Sequence, residues 1–285
     1  MRYPKDVEIW EHAPGRRLAE VVVRVENVKG ALARCSQVVS DLDVNMLSGF
    51  MNAPSSSPIA TWSFFADVTD GAGGIPELKK ALLAIDVVQT VDIIASEDGF
   101  MVDKQHFPVQ YAGRRAVIMR AESLNEMLLR LWDVFGSGAV TIIDQMAEAM
   151  GRHSAKEIAE DFGQDFAVAQ IDELLGAYSA LGYAEVSIER TKTEEFPFVV
   201  HAKGLFECEA SAKRRLRQKS VFFRAHLRGF MSGIFNALYE ITEVQCLTRG
   251  DEVCSFRVAV APRLMPRVFN RPPSMGTEHI PKSNF

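Results

Sequence analysis

The chain has 285 residues, a formal net charge of −5 and 47% hydrophobic residues. At roughly 150 residues per domain, this length suggests two domains, each able to bury a core without covalent staples. The acidic balance speaks against whole-molecule nucleic-acid binding. No apolar run nears the ~18–20 residues that span a bilayer, and residues 1–17 carry no apolar signal core, so a cytoplasmic protein without a membrane span is expected. Four cysteines are too few for a disulfide framework.

The first hundred residues alternate between two periodicities. Leu18 to Val25 carries Val21, Val23 and Val25 at period two, which predicts a strand. Gly30 then opens a helical stripe of Leu32, Cys35, Val38, Val39 and Leu42. Val44 to Met51 and Ile59 to Asp67 read as strands around a Ser/Pro-rich turn. Pro76 suits a helix start before Leu78, Leu82 and Ile85, and Val87 to Ile94 closes the unit. The order βαββαβ predicts a ferredoxin-like domain over 18–95, with two helices on one sheet face and the other face left for a second copy.

Residues 96–113 are polar and punctuated by Gly and Pro, as in a linker. A second, mixed α+β domain is expected over 114–261, its helices packed on an antiparallel sheet. Leu124, Met127, Leu128, Leu131 and Phe135 form one helical stripe. Val140, Ile143, Met146, Ala147 and Met150 form another, ended by Gly151. Ile171 to Leu181 gives a third helix and Phe222 to Leu238 a fourth, with strands at Ala184–Ile188 and Phe198–Ala202. Glu243 to Val260 reads as a hairpin turning at Arg249, Gly250 and Asp251. Residues 262–285, rich in proline, read as a flexible tail.

The hairpin is the most informative stretch. A turn centred on Gly250 sets Cys246 across from Cys254, with Cβ atoms ~4.5–5.5 Å apart on one face. Such a pair suits one tetrahedral metal, a disulfide, which a reducing compartment opposes, or two buried core thiols. A metal needs further ligands, and Cys208, His226 and Glu243 are the candidates. Glu243 lies three residues before Cys246, hence on the opposite face of an ideal strand. Only a bulge or strand end could re-aim it.

The C-terminal half resembles the 4-vinyl-reductase-type small-molecule-binding domain. The likeness rests on Phe206-Glu-Cys-Glu209, on His226-Leu-Arg-Gly-Phe-Met-Ser-Gly233, and on Glu243-x-x-Cys246-x-x-x-Arg-Gly-Asp-x-x-Cys254 followed by Ser255-Phe256. That domain occurs in bacteriochlorophyll reductase accessory proteins and in sensors of aromatic-responsive transcription activators, and is distantly similar to TRAPP vesicle-tethering subunits. The resemblance implies a structural zinc on Glu243, Cys246 and Cys254 beside an aromatic pocket. Where those sensors carry a further Cys, this chain has Arg224 and His226, so Cys208 or His226 stands in for it. Residues 18–95 resemble an ACT domain, a regulatory amino-acid-binding and dimerising module. This likeness rests on Asn27-Val-Lys-Gly30-Ala-Leu32 and Val44-Asn45-Met46. It implies an amino-acid site at Asn27, Gly30 and Asn45, where the helix-opening amides can hold a carboxylate, and a homodimer.

Phe222, Phe223, Phe230 and Phe235, with Trp132 and Phe135, can line a hydrophobic pocket or fill a core. Trp132, Phe222, Phe223 and Phe230 are the ligand-lining candidates. Gly229 and Gly233 share a helix face that admits close approach. The basic run from Lys213 to Lys219 suits a solvated loop better than an anion site. No nucleophile elbow, P-loop or HExxH spacing occurs, nor a helix-turn-helix signature. The leading expectation is a non-enzymatic sensor of a hydrophobic or aromatic molecule, with no direct nucleic-acid contact. The alternatives are an enzyme or accessory protein of tetrapyrrole or hydrocarbon metabolism, with His226 as its acid/base group, and a lipid-holding adaptor.

Overall fold

The computed structural model describes residues 3–191, 197–213 and 220–261. The expected tail and all of the basic run after Lys213 lie outside them. The fold is α+β, and the chain divides into two compact units, Met1–Ile118 and Met119–Phe285.

The first unit begins with strand β1 (Trp10–His12) and continues as β2 (Leu18–Glu26), α1 (Ala31–Asp41), β3 (Asn45–Asn52), β4 (Ile59–Asp67), α2 (Gly74–Leu83) and β5 (Val88–Ser96). The last five elements complete the expected βαββαβ order from β2. Their four strands form one antiparallel sheet in the order β3-β4-β2-β5. Pairing of Val21 with Phe64 and Val23 with Trp62 sets these side chains on one face. There they bury against Cys35 and Val39 of α1 and Leu78 and Leu82 of α2. The alternation of the sequence is thus the alternation of the sheet.

The segment read as a linker belongs instead to this unit. Strand β6 (Phe100–Val102) pairs antiparallel with β1, and Met101 buries against Leu18 and Phe65, which alternate onto the sheet face away from the helices. A two-stranded ribbon, β7 (Gln110–Tyr111) with β8 (Arg114–Arg115), follows. The segment's polarity concealed its fold, because its backbone is tied down by hydrogen bonds more than by apolar contacts. The amides of Lys104 and Gln105 donate to the Glu20 carboxylate at 3.0 and 3.3 Å.

The second unit contains α3 (Ala121–Phe135), α4 (Gly138–Phe162), α5 (Gln164–Ala169) and α6 (Ile171–Ala180). Then come β9 (Glu185–Arg190), β10 (Phe198–Lys203), α7 (Phe206–Lys213), α8 (Val221–Phe235), β11 (Tyr239–Gln245) and β12 (Cys254–Val260). Its antiparallel sheet runs β11-β12-β10-β9. One correction concerns Gly151, which does not end its helix. Helix α4 runs on to Phe162, because Gly151 serves packing rather than termination. A Cβ there would stand 2.0 Å from the His226 carbonyl oxygen of α8, and one on Gly229 would stand 2.1 Å from the Glu148 carbonyl oxygen of α4. The two helices therefore cross backbone to backbone. Arg228 braces the crossing through Asp144 at 2.6 Å and through Glu148. No described helix is long and apolar enough to cross a membrane.

Candidate metal centre and adjoining cavities

Antiparallel pairing brings Gln245 opposite Ser255, so Cys246 and Cys254 stand beside each other at the hairpin end, their Sγ atoms 3.9 Å apart. A 3-10 turn over Leu247–Arg249, closed at Gly250 with φ 96°, joins the strands. Asp251 fixes the turn by accepting the Cys246 amide at 2.7 Å. Cys208, near the start of α7, places its Sγ 3.6 Å from that of Cys246. All three sulfurs lie within 4.8 Å of one another, and all three residues are buried, none more than 1% exposed.

The register of β11 against β12 shifts between Glu243 and Gln245. This bulge is the irregularity an ideal strand would need for Glu243 to share a side with Cys246. Glu243 Oε1 accepts from the amide and the hydroxyl of Ser220. Its Oε2 is buried without a hydrogen-bond partner. Burial raises the Glu243 carboxyl, Ser220 opposes the rise, and the neighbouring Cys246 adds to it.

The sulfurs share their protons unequally. Hydrogen bonds from Cys208 and Cys254, with Thr248 adding to them, hold the Cys246 thiol well below its ordinary range. Bonding to Cys246 and Cys254, together with burial, pushes Cys208 up. The Leu247 amide donates to Cys254 Sγ at 3.5 Å. Cys254 nonetheless ends up at about 12: its hydrogen bond with Cys208 lowers it, and bonding to Cys246 together with burial outweighs this and the Leu247 amide.

Glu207 is a residue that spacing did not single out, although it lies within the Phe206–Glu209 motif. Its two oxygens accept the amides of Phe222 and Phe223 at 3.0 and 2.7 Å. It thereby satisfies two of the orphan donors of the first turn of α8, which has no side-chain cap from its own N-cap Ser220. Burial, against the pull of those amides, carries its carboxyl up to about 8. Glu207 also lines an internal cavity of about 20 Å³, together with Asn125, Ser211, Leu128, Trp132 and Ile143. That is room for one water. Asn125, which donates to the Phe206 carbonyl at 2.9 Å, also lines a more open cleft of about 300 Å³ between α3 and α7, with Glu122, Phe206 and Glu209 among its walls.

The other expected site residues scatter. His226 is apart from the sulfur cluster, its Nδ1 2.8 Å from the Tyr178 hydroxyl and its ring enclosed by Tyr178, Tyr183 and Phe222. Burial lowers its imidazole to about 4. Phe222, Phe223 and Phe230 are core, none more than 5% exposed, and line neither cavity; of the ring candidates only Trp132 does. In the first unit, Asn27 spends its side-chain amide on the carbonyls of Pro54 and Ser57 at 3.1 and 3.0 Å. Gly30 is the left-handed N-cap of α1, whereas Asn45 is exposed past the far end of that helix, whose 11 residues span about 16 Å. These three are not brought together.

No family model matches the chain. It is 25% identical over 126 residues to the uncharacterized protein MJ1460 of Methanocaldococcus jannaschii, covering 44% of this chain and 76% of that one. Among solved structures, the phenol-responsive sensory domain of the transcription activator PoxR with phenol aligns at 14% identity. It covers 53% of this chain and 79% of that one, with a TM-score of 0.44. A vinyl-4-reductase family protein from Methanocaldococcus jannaschii aligns at 15% identity, 52% and 85% coverage, and TM-score 0.38. The ACT domain of GTP pyrophosphokinase from Chlorobium tepidum aligns at 21% identity, 27% and 96% coverage, and TM-score 0.23.

Proposed function

We propose that the second unit is a small-molecule-binding regulatory module braced by a structural zinc ion on Cys208, Cys246, Cys254 and Glu243. The observation that carries this reading is the convergence of three buried sulfurs; Glu243 neighbours Cys246 with one oxygen orphaned and would move in to complete the set. Zn–S bonds of ~2.3 Å in a tetrahedron put sulfurs about 3.8 Å apart, and the sulfurs here that bond to Cys246 lie 3.6 and 3.9 Å from it. Soft thiolates with one oxygen select zinc over calcium or magnesium. With four protein donors the ion has no open position for water or substrate, so its role is to hold the hairpin to α7. Glu243 is preferred to His226 as the fourth donor, because the His226 ring bonds to Tyr178 among Tyr183 and Phe222.

The bound molecule enters beneath α3. Glu207 precedes the ligand Cys208, caps α8 and lines the small cavity, so the metal end of the hairpin and the cavity share adjacent residues. Apolar walls with one carboxylate, one amide and one hydroxyl suit a small, mostly apolar molecule carrying a hydrogen-bond donor. Displacement of α3 enlarges the cavity to admit it, and the occupied arrangement is the signalling state.

Elemental analysis of purified protein should find one zinc per chain. Cobalt exchanged into the site should show thiolate-to-metal absorption that Cys246→Ser abolishes. Phenol, benzyl alcohol or a medium-chain alcohol should raise the melting temperature. A chain free of stoichiometric metal, with no shift from any of these compounds, overturns the proposal.

A further inference from the structure

A second donor cluster sits in the first unit, where no sulfur is involved. Glu20 projects from central strand β2 on the sheet face away from the helices and is 2% exposed. Residues 100–106 cross this face as a strap and bring two more donors to it. His106 Nδ1 lies 3.3 Å from Glu20 Oε1 and 3.0 Å from each carboxylate oxygen of Asp103. One ligand atom from each of the three residues falls within 4.8 Å of the others.

Backbone groups hold both carboxylates in this pose. Glu20 takes the amides of Lys104 and Gln105. Asp103 Oδ1 takes those of Gln105 and His106 at 3.1 and 2.9 Å. Gln105 Nε2 adds a bond to the Glu20 carbonyl at 3.1 Å. The imidazole, by contrast, is fixed by its Nδ1 end and by an edge contact with Phe50 at 5.2 Å, because its Nε2 is buried without a partner. Three donors of mixed type, each supplied by a different position, thus converge on one point.

Two carboxylates sharing a buried site need compensating positive charge. Protons on the carboxyl pair and the imidazole can supply it, and so can one divalent cation. We propose that Glu20, Asp103 and His106 bind a divalent first-row cation that clamps the strap to the sheet. Bonds of ~2.1 Å at right angles separate neighbouring donors by about 3.0 Å, and the separations here are 3.0 and 3.3 Å. Two oxygens and one imidazole nitrogen suit manganese, iron or zinc better than a thiophilic ion. Asp103 and His106 remain 20% and 24% exposed, which leaves one side open for entry and for coordinating water.

Manganese is the probe, because it discriminates this site from the sulfur cluster. In the metal-stripped full chain, EPR and calorimetry should detect one saturable Mn²⁺ within about a millimolar. Binding should weaken at least about tenfold in His106→Gln and in Asp103→Asn, and stay unchanged in His153→Gln, an exposed histidine outside both clusters. Hydrogen exchange at the amides of residues 104–106 should slow when Mn²⁺ is added. Absence of saturable binding, or equal binding by the wild type and both strap variants with native circular dichroism, overturns the inference. The result is independent of zinc at the cysteines, which the cobalt–thiolate absorption reports separately.

Discussion

The two donor clusters are assembled by opposite means. Cys246 and Cys254 meet because one hairpin makes them meet: a bulge, a tight turn and an antiparallel register fix the pair within eight residues. Glu20 and the strap meet across some 85 residues, and only once the whole sheet exists. A locally built site inherits the stiffness of its hairpin, whereas a closure-built site is as ordered as the segment that closes it. The softer donors lie fully buried where α7 meets the hairpin end. The harder donors lie under a strap with one side open.

This contrast is broken most severely at the cysteines. If zinc occupies the site as proposed, Cys246→Ser should abolish metal binding and lower the stability of the second unit by several kcal/mol. Thermal melting with and without chelator should show the loss in the second unit while the first is unaffected. Next in size is the helix crossing beneath the hairpin. Gly229→Ala drives a Cβ into a backbone carbonyl that no rotamer change can relieve, and should cost about 3 kcal/mol in urea unfolding.

An effect of similar size follows from His226, whose folded value is about 4 against an ordinary 6.5. The unfolded chain takes up a proton below pH 6.5 that the folded chain refuses. The neutral imidazole's contribution is therefore full above 6.5 and is lost as pH falls through 6.5 toward 4, by about 3 kcal/mol in all. Urea unfolding between pH 7.5 and 4.5 should show a steeper decline for the wild type than for His226→Gln. The smallest change is Asn27→Ala. It removes the two bonds that tie the Pro54–Ser57 turn and should cost about 1 kcal/mol. A loss of amino-acid binding with no loss of stability would instead give Asn27 a ligand role.

Much of the architecture was legible along the chain. Period-two valines in Leu18–Val25 and the stripes of Cys35, Val39, Leu78 and Leu82 place the first sheet and its helices, because one buried face imposes its own spacing on the residues. The facing cysteines were legible for the same reason, since hairpin register is local. Gly151 was misread because a glycine needed for helix contact looks, in sequence, like one that ends a helix. Residues 96–113 are not a linker because pairing of Phe100–Val102 with Trp10–His12 and the amide bonds of Lys104 and Gln105 to Glu20 tie them down, and backbone hydrogen bonds leave no trace in composition.

What the amino-acid order determined by itself was therefore the βαββαβ unit, the longer helices and the sheet strands of the second unit, and the hairpin pair, where neighbours along the chain are neighbours in space. Only the tertiary structure decided that Cys208 joins that pair, that a bulge and an orphaned oxygen commend Glu243, and that His226 is enclosed among rings. It also decided that Glu20, an isolated carboxylate in an alternating strand, faces Asp103 and His106. Each of these depends on which distant segment closes over a given face, and that choice is made by the packing of the whole unit rather than by any window of its sequence.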